Sequence, residues 1–201
     1  MTKATREYHK NDMGVISEST VDSSDVGINM FMVPNPQFKS LRGISKELDF
    51  DKNGPASLVS TSALLAVASN HDDPKRTNFI AIQNSHFVSC VGYHQSTCRT
   101  GYESVIPERT RDLFAFTAKK KGIVQDINAD GIIVVYEDGE VTGYELGKRF
   151  GSAAGLTIPH QIVTPLKKGE HVDVGTVIVY NTGFFEPDFF NPKQIALKNS
   201  L

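Results

Sequence analysis

Asp126, Asn128, Asp130 and Glu137 stand at positions 1, 3, 5 and 12 of a loop with Gly131 at position 6. That is the spacing at which hard oxygen donors wrap a calcium ion. Calcium loops of this kind join two helices, whereas positions 7 to 11 here are Ile132-Ile133-Val134-Val135-Tyr136, a strand pattern. The sequence therefore favours a β-turn rich in Asn and Asp. His86, Cys90, His94 and Cys98 follow at a strict four-residue spacing that suggests zinc. On one helix they would span about 18 Å, too far for all four to reach one ion. Two neighbours such as His86 and Cys90 would need further ligands from elsewhere; the plainer reading is part-buried polar and thiol side chains. No Gly-x-Ser-x-Gly, no phosphate-cradling glycine loop and no Cys beside an obvious His partner occurs. The chain carries no self-contained active site by these criteria. His71-Asp72-Asp73-Pro74-Lys75-Arg76 is a helix start: Asp73 caps, and Pro74 fits the first turn because its missing N–H would be unpaired there anyway. On its own it reads as an exposed Arg at a capped helix.

The elements that would position these groups differ along the chain. Residues 1–55 are irregular, punctuated by Pro34, Pro36, Gly43, Gly54 and Pro55. A stretch of this length without regular elements is expected to pack against a partner. Residues 56–104 read as a helical segment. Leu58, Leu64, Leu65, Val67 and Ala68 form an apolar face over 56–70, and a second helix runs from Pro74 through Phe79, Ile80 and Ile82 to about Ser85. Residues 105–185 read as β. The runs Gly122 to Ile127, Gly131 to Tyr136, Val141 to Leu146 and Thr176 to Tyr180 are rich in β-branched residues and separated by Asn, Asp and Gly turns. Leu166 to Ile178 resembles the half-motif of biotinyl and lipoyl carrier domains, but no Lys sits at a hairpin tip, so carrier chemistry is not supported. Residues 186–201 read as a tail. The fold class expected is α+β, a helical segment over about 56–90 followed by a barrel- or sandwich-like β region.

Composition limits the partners. In 201 residues, Lys and Arg number 21 and Asp and Glu 23, a net charge of -2 that excludes binding of polyanions by bulk charge alone. Two cysteines exclude a disulfide-stapled secreted scaffold. No apolar run reaches the roughly 18 residues of a membrane helix, and the N-terminus lacks the apolar core of a signal peptide. A soluble protein of a reducing compartment is expected.

One resemblance draws these pieces together. His71 to Arg76 resembles the H-D-D-x-x-R core of the β subunit of multisubunit DNA-directed RNA polymerases. Ser57-Leu58-Val59-Ser60-Thr61-Ser62-Ala63-Leu64-Leu65 precedes it, like the family's Ser-rich apolar helix, and Gln83-Asn84-Ser85-His86-Phe87-Val88 follows where the family has an amide-rich stretch. Upstream, Arg6-Glu7-Tyr8-His9, Gly14, Thr20, Asp22 and Val26-Gly27 are similar to the family's R-x-x-H, Gly and E-T-P-E-G-P-N-I-G-L. Downstream, Thr100-Gly101-Tyr102-Glu103, Gly122-Ile123-Val124, Tyr144-Glu145-Leu146, Lys167 to Val172 and Gly175 to Ile178 fall in family order. The prolines and Gly of E-T-P-E-G-P-N are absent; Ser19-Thr20-Val21-Asp22-Ser23-Ser24-Asp25 stands there. The divergence is most like the split-subunit polymerases of large bacteriophages.

The resemblance implies a β-like subunit or fragment that forms part of an active-centre wall and is inactive alone. Arg76 matches the family's Arg near the incoming nucleotide's triphosphate, with Asp72, Asp73 and Lys75 supporting it. Gln83, Asn84 and His86 match positions along the RNA–DNA hybrid, and Arg6, Asp22 and Asp25 match positions near the nascent RNA. Asn128-Ala129-Asp130-Gly131 resembles part of the triple-Asp motif of the polymerases, but it lacks two of the three carboxylates. Mg2+ is therefore expected on a partner chain, a β′-like subunit carrying the catalytic aspartates, alongside a complementary β-like fragment, DNA template and RNA transcript. Location would be the host cytoplasm, a phage-made compartment or the virion. The altered 17–27 loop implies poor inhibition of the assembled enzyme by rifamycins; inhibition at concentrations effective on bacterial polymerases would count against this. The alternative is a non-catalytic β-rich binding or assembly module descended from a polymerase subunit.

Overall fold

The computed structural model describes residues 7–83, 94–109, 114–153 and 156–198. Arg6, Asn84, His86 and Cys90 lie outside them, as does the expected helix end at Ser85. The chain divides into two compact units, one comprising residues 1–89 with 98–100, the other 90–97 with 101–201.

In the first unit β1 (Ile16–Thr20) pairs antiparallel with β2 (Met30–Met32). The apolar face read over 56–70 does not form one helix. It breaks into a 3-10 turn at Pro55–Ser57, the short α1 (Thr61–Leu65) and a second 3-10 turn at Ser69–His71. Two local features account for this. Ser60 caps α1, its Oγ accepting from the Ala63 N–H at 3.1 Å, and Ala68 takes a left-handed conformation at φ 60°, which halts a right-handed helix. α2 (Pro74–Gln83) begins where the Asp-Pro signature places it and packs on α1 and β1.

The second unit carries most of the β structure. A 3-10 turn at Tyr102–Ser104 and α3 (Ile106–Arg109) precede β3 (Ala115–Thr117), β4 (Gly122–Ile127), β5 (Gly131–Tyr136) and β6 (Val141–Glu145). Then come β7 (Gly147–Ala153), β8 (Leu156–Val163), β9 (His171–Val172), β10 (Val177–Asn181), β11 (Phe185–Pro187) and β12 (Ile195–Leu197). The strand orders are β3-β10-β8-β7, β6-β5-β4-β9 and β11-β12. The expectation of a barrel-like region is corrected here: among the described residues these sheets are open and none closes on itself. The α+β class stands, with strands outweighing helices. Residues 186–198, read as a tail, include β12, which pairs with β11.

Strict alternation buries Ile132, Val134 and Tyr136 on one face of β5, and Val124 on β4 joins them. Ile162, Ile178 and Val179 from the other four-stranded sheet complete this core. A second core surrounds Phe185 with Ala115, Val177, Tyr180 and Ile195. The turns are those the sequence signals. Asn128 Oδ1 accepts from the N–H groups of Asp130 (3.0 Å) and Gly131 (2.8 Å). Gly139 sits at φ 84° between β5 and β6. The calcium-like residues thus lie on and between strands rather than between helices, and Asp126, in β4, pairs with Lys168 at 2.7 Å, which lowers its carboxyl below the usual range.

Gly122 is a packing requirement. A Cβ there would lie 2.6 Å from the Val135 carbonyl oxygen and 3.1 Å from Tyr136 Cα, both backbone atoms of β5. Gly122→Ala is expected to destabilise the chain by about 1–3 kcal/mol, read as a shift in the denaturant midpoint. An unchanged midpoint would show that β4 and β5 do not approach this closely.

Residues 94–97 are tied to β11 by a buried amide. Glu186 Oε1 accepts from the Gln95 N–H (2.7 Å) and from its side-chain Nε2 (3.2 Å), while Gln95 Nε2 also donates to the Pro187 carbonyl (2.7 Å). His94 Nδ1 lies 3.3 Å from Glu186 Oε2. Burial pushes the Glu186 carboxyl up, but the Gln95 N–H, His94 and the Gln95 amide together outweigh it and hold it below the ordinary value. A lowered folded-state pKa gives stability that is present above the unfolded pKa, near 4.3 for Glu, and is lost as pH falls through the folded one. Glu186→Gln should therefore flatten the acid limb of a stability-versus-pH curve and cost about 1–3 kcal/mol at neutral pH. Superimposable acid limbs would disprove the assignment.

Candidate nucleic-acid and nucleotide interface

The His71–Arg76 segment lies entirely on the surface of the first unit. Asp73 caps α2: its Oδ1 accepts from the Lys75 N–H at 2.9 Å and its carbonyl from the Thr77 N–H at 3.0 Å. Asp72 Oδ1 accepts from the Asp73 N–H at 2.8 Å and so shapes the turn into the helix. Thr77 Oγ1 donates back to the Ser69 carbonyl at 3.2 Å, fastening the helix start to the preceding turn.

This local order decides what the segment can do. The positive end of α2 already holds a carboxylate, that of Asp73, which takes the Lys75 N–H and disfavours a second anion there. Any phosphate contact falls to side chains. Lys75 and Arg76 are both exposed, and among the described residues neither side chain has a hydrogen bond or ion pair. An unpaired guanidinium on a rigid helix start can make a forked, charge-assisted contact with phosphate.

The other sequence-identified residues fall around the same unit. Gln83 ends α2 and is exposed. Asp22 and Asp25 lie exposed on the loop joining β1 to β2. No ion pair joins either of them to Arg76 among the described residues. The loop, which lacks the prolines of the resembling family, is closed by its own side chains. Thr20 Oγ1 donates to the Asn29 carbonyl (2.8 Å) and accepts from the Gly27 N–H (2.8 Å), drawing its ends together. Ser17 Oγ donates to the Phe31 carbonyl at 2.8 Å. Gly27, at φ 75°, takes the left-handed position the turn requires.

Two polar residues escaped the sequence reading. Glu18 receives a fork from Ser60, whose Oγ donates to Oε1 (2.6 Å) and whose N–H donates to Oε2 (2.9 Å). This fastens β1 to the start of α1. The sequence reading placed Ser60 inside a helix, and Glu18, 42 positions away, carried no local signal. Asn78, on α2, lines a cleft of about 570 Å3 together with Thr20, Val26, Gly27, Leu58 and Val59. The loop bearing Asp22 and Asp25 and the helix bearing Arg76 thus border one cleft.

Among the described residues no group of three or more His, Cys, Asp or Glu is disposed to hold a metal ion. His94 and Cys98 are described, the latter exposed; His86 and Cys90 are not. No helix among the described residues is long and apolar enough to cross a membrane.

No family model matches the chain. It is similar to the DNA-directed RNA polymerase subunit beta of Arthrobacter sp. (strain FB24), 26% identical over 132 residues, which cover 66% of this chain and 11% of that protein. The same subunit of Leifsonia xyli subsp. xyli is 27% identical over 134 residues, 67% of this chain and 11% of the relative. That of Rubrobacter xylanophilus is 29% identical over 133 residues, 66% and 11% respectively. The chain thus bears a low-identity, β-subunit-like relationship to these polymerase subunits over two thirds of its own length and matches about a tenth of theirs.

Proposed function

We propose that the chain is a β-like subunit, or a fragment of one, of a multisubunit DNA-dependent RNA polymerase and forms part of its active-centre wall. The observation that carries this is the similarity to β subunits over two thirds of the chain. Arg76, exposed on a capped helix start and unpaired among the described residues, supports it. In this reading Arg76 forks onto the triphosphate of the incoming nucleotide and steadies charge developing on the departing pyrophosphate. Asp73 and Asp72 set the helix start from which it projects, and Lys75 adds a second cation. Gln83, Asn84 and His86 run along the hybrid, where neutral amides suit sequence-independent contacts with sugar and phosphate. Arg6, Asp22 and Asp25 lie toward the nascent RNA. Two Mg2+ ions supply the nucleotidyl-transfer chemistry, held by a β′-like partner rather than by this chain. A complementary β-like polypeptide supplies the rest of the wall, as in the split polymerases of large bacteriophages.

The test is mass spectrometry of what co-purifies with the tagged chain from its native cell. β′-like and complementary β-like polypeptides in fixed ratio are expected, with primer extension by the purified assembly. A chain that elutes alone and folded would leave the polymerase as ancestry and support the non-catalytic assembly module.

A further inference from the structure

The first unit is poor in apolar filling. Its fully buried hydrophobic residues among those described are Val33, Ala63, Ala66 and Ala81, one medium side chain and three of the smallest. Both multi-residue apolar cores belong to the second unit. Meanwhile Phe31, Met32, Leu41, Ile44, Phe50 and Phe79 are exposed. A unit of this length ordinarily buries several large side chains, so its apolar surface calls for material from outside.

The cleft beside Asn78 shows what that material is. Met13, Val26, Met30, Leu58 and Val59 give it an apolar lining. Most polar groups on the wall are already engaged: Glu18 by Ser60, Thr20 by the loop it closes, and the Tyr8 hydroxyl by the Ile16 carbonyl at 2.6 Å. Asn78 is different. Its Oδ1 is buried and has no hydrogen-bond partner among the described residues, a costly state for an amide. The occupant must therefore bring one hydrogen-bonding group and an apolar body. Nucleic acid and nucleotides do not fit, because the lining contains no Lys or Arg and does contain Glu18. An extended polypeptide fits, since its backbone offers both a donor and an acceptor to an amide and its alternate side chains fill an apolar trough. The chain matches only 11% of the length of its relatives, so in them the matched region is joined to a much longer polypeptide.

We infer that this cleft seats an extended apolar segment of the complementary β-like polypeptide, which hydrogen-bonds Asn78 through its backbone. The inference rests on the split-subunit reading above and adds to it the place of docking.

The experiment uses the native assembly, with a benzophenone amino acid replacing Met30 in the cleft wall and, as a control, Val141, which is exposed on the second unit. Irradiation and peptide mapping are expected to give adducts from position 30 on an apolar segment of the β-like companion and none on that segment from position 141. In parallel, Asn78→Leu removes the unpaired amide. The full chain alone is expected to melt about 2–4 °C higher, while recovery of the companion falls at least about tenfold. If the companion co-purifies fully with Asn78→Leu and position 30 cross-links only within its own chain or to nucleic acid, the inference is overturned and the polymerase reading stands. If no β-like companion is recovered with the wild-type chain, both fall.

Discussion

If the proposed function holds, Arg76→Ala in the native assembly is expected to raise the apparent KM for nucleotides and slow single-nucleotide addition, with kcat/KM falling by about 10- to 150-fold. The figure follows from the roughly 1.5–3 kcal/mol of a hydrogen bond to a charged group, at 1.4 kcal/mol per factor of ten. Arg76→Lys recovers part of the loss, because an ammonium keeps the charge but not the planar fork. The substitution is clean in another respect. The Arg76 side chain is exposed and has no partner among the described residues, so the melting temperature of the chain should not move. Single-turnover extension by an assembly carrying the variant is the measurement. If addition is unchanged while the assembly remains intact, Arg76 has no part in nucleotide handling. A loss confined to kcat, with KM constant, would place it at the leaving pyrophosphate rather than in ground-state binding.

Phe185→Ala should produce the largest loss of stability. Phe185 is only 1% exposed and is the centre of the second core, where Ala115, Val177, Tyr180 and Ile195 surround it and Ile106, Phe114 and Leu197 close the margin. Truncation removes a full aromatic ring and leaves a cavity these neighbours cannot fill, at a cost of about 3–5 kcal/mol. Against a typical total of about 5–15 kcal/mol this is a large fraction. Urea denaturation of the chain reads it directly, and Phe185→Leu, which keeps most of the volume, should lose less than half as much. A change below about 1 kcal/mol for the Ala variant would mean that the site collapses freely and that β11 and β12 do not complete this core.

The β4–β5–β6 meander was legible because every local signal agreed. Alternating β-branched residues fix the face, and the turns carry the Asn, Asp and Gly that left-handed or side-chain-closed geometry needs. The Asp-Pro start of α2 was legible for the same reason. The hairpin of β7 and β8 was not: Gly147, Gly151 and Pro159 interrupt its pattern, and its strands are fixed by pairing with each other from Gly147↔Ile162 to Ala153↔Leu156. The region 56–70 misled because its apolar residues suit a helix while Ser60 and Ala68 stop one, and a left-handed Ala has no sequence signature.

The sequence by itself determined the meander, its turns, the capped start of α2 and the chain of motifs that relates it to polymerase β subunits. These depend on neighbours within a few positions, where backbone geometry and capping chemistry act. Tertiary structure alone decided that Glu18 holds Ser60 and Glu186 holds Gln95, and that Asn78 faces a cleft with its amide oxygen unbonded among the described residues. Glu18 and Ser60 lie 42 positions apart and Gln95 and Glu186 lie 91 apart. Burial and hydrogen bonding over such separations arise only when the packed chain brings the groups together.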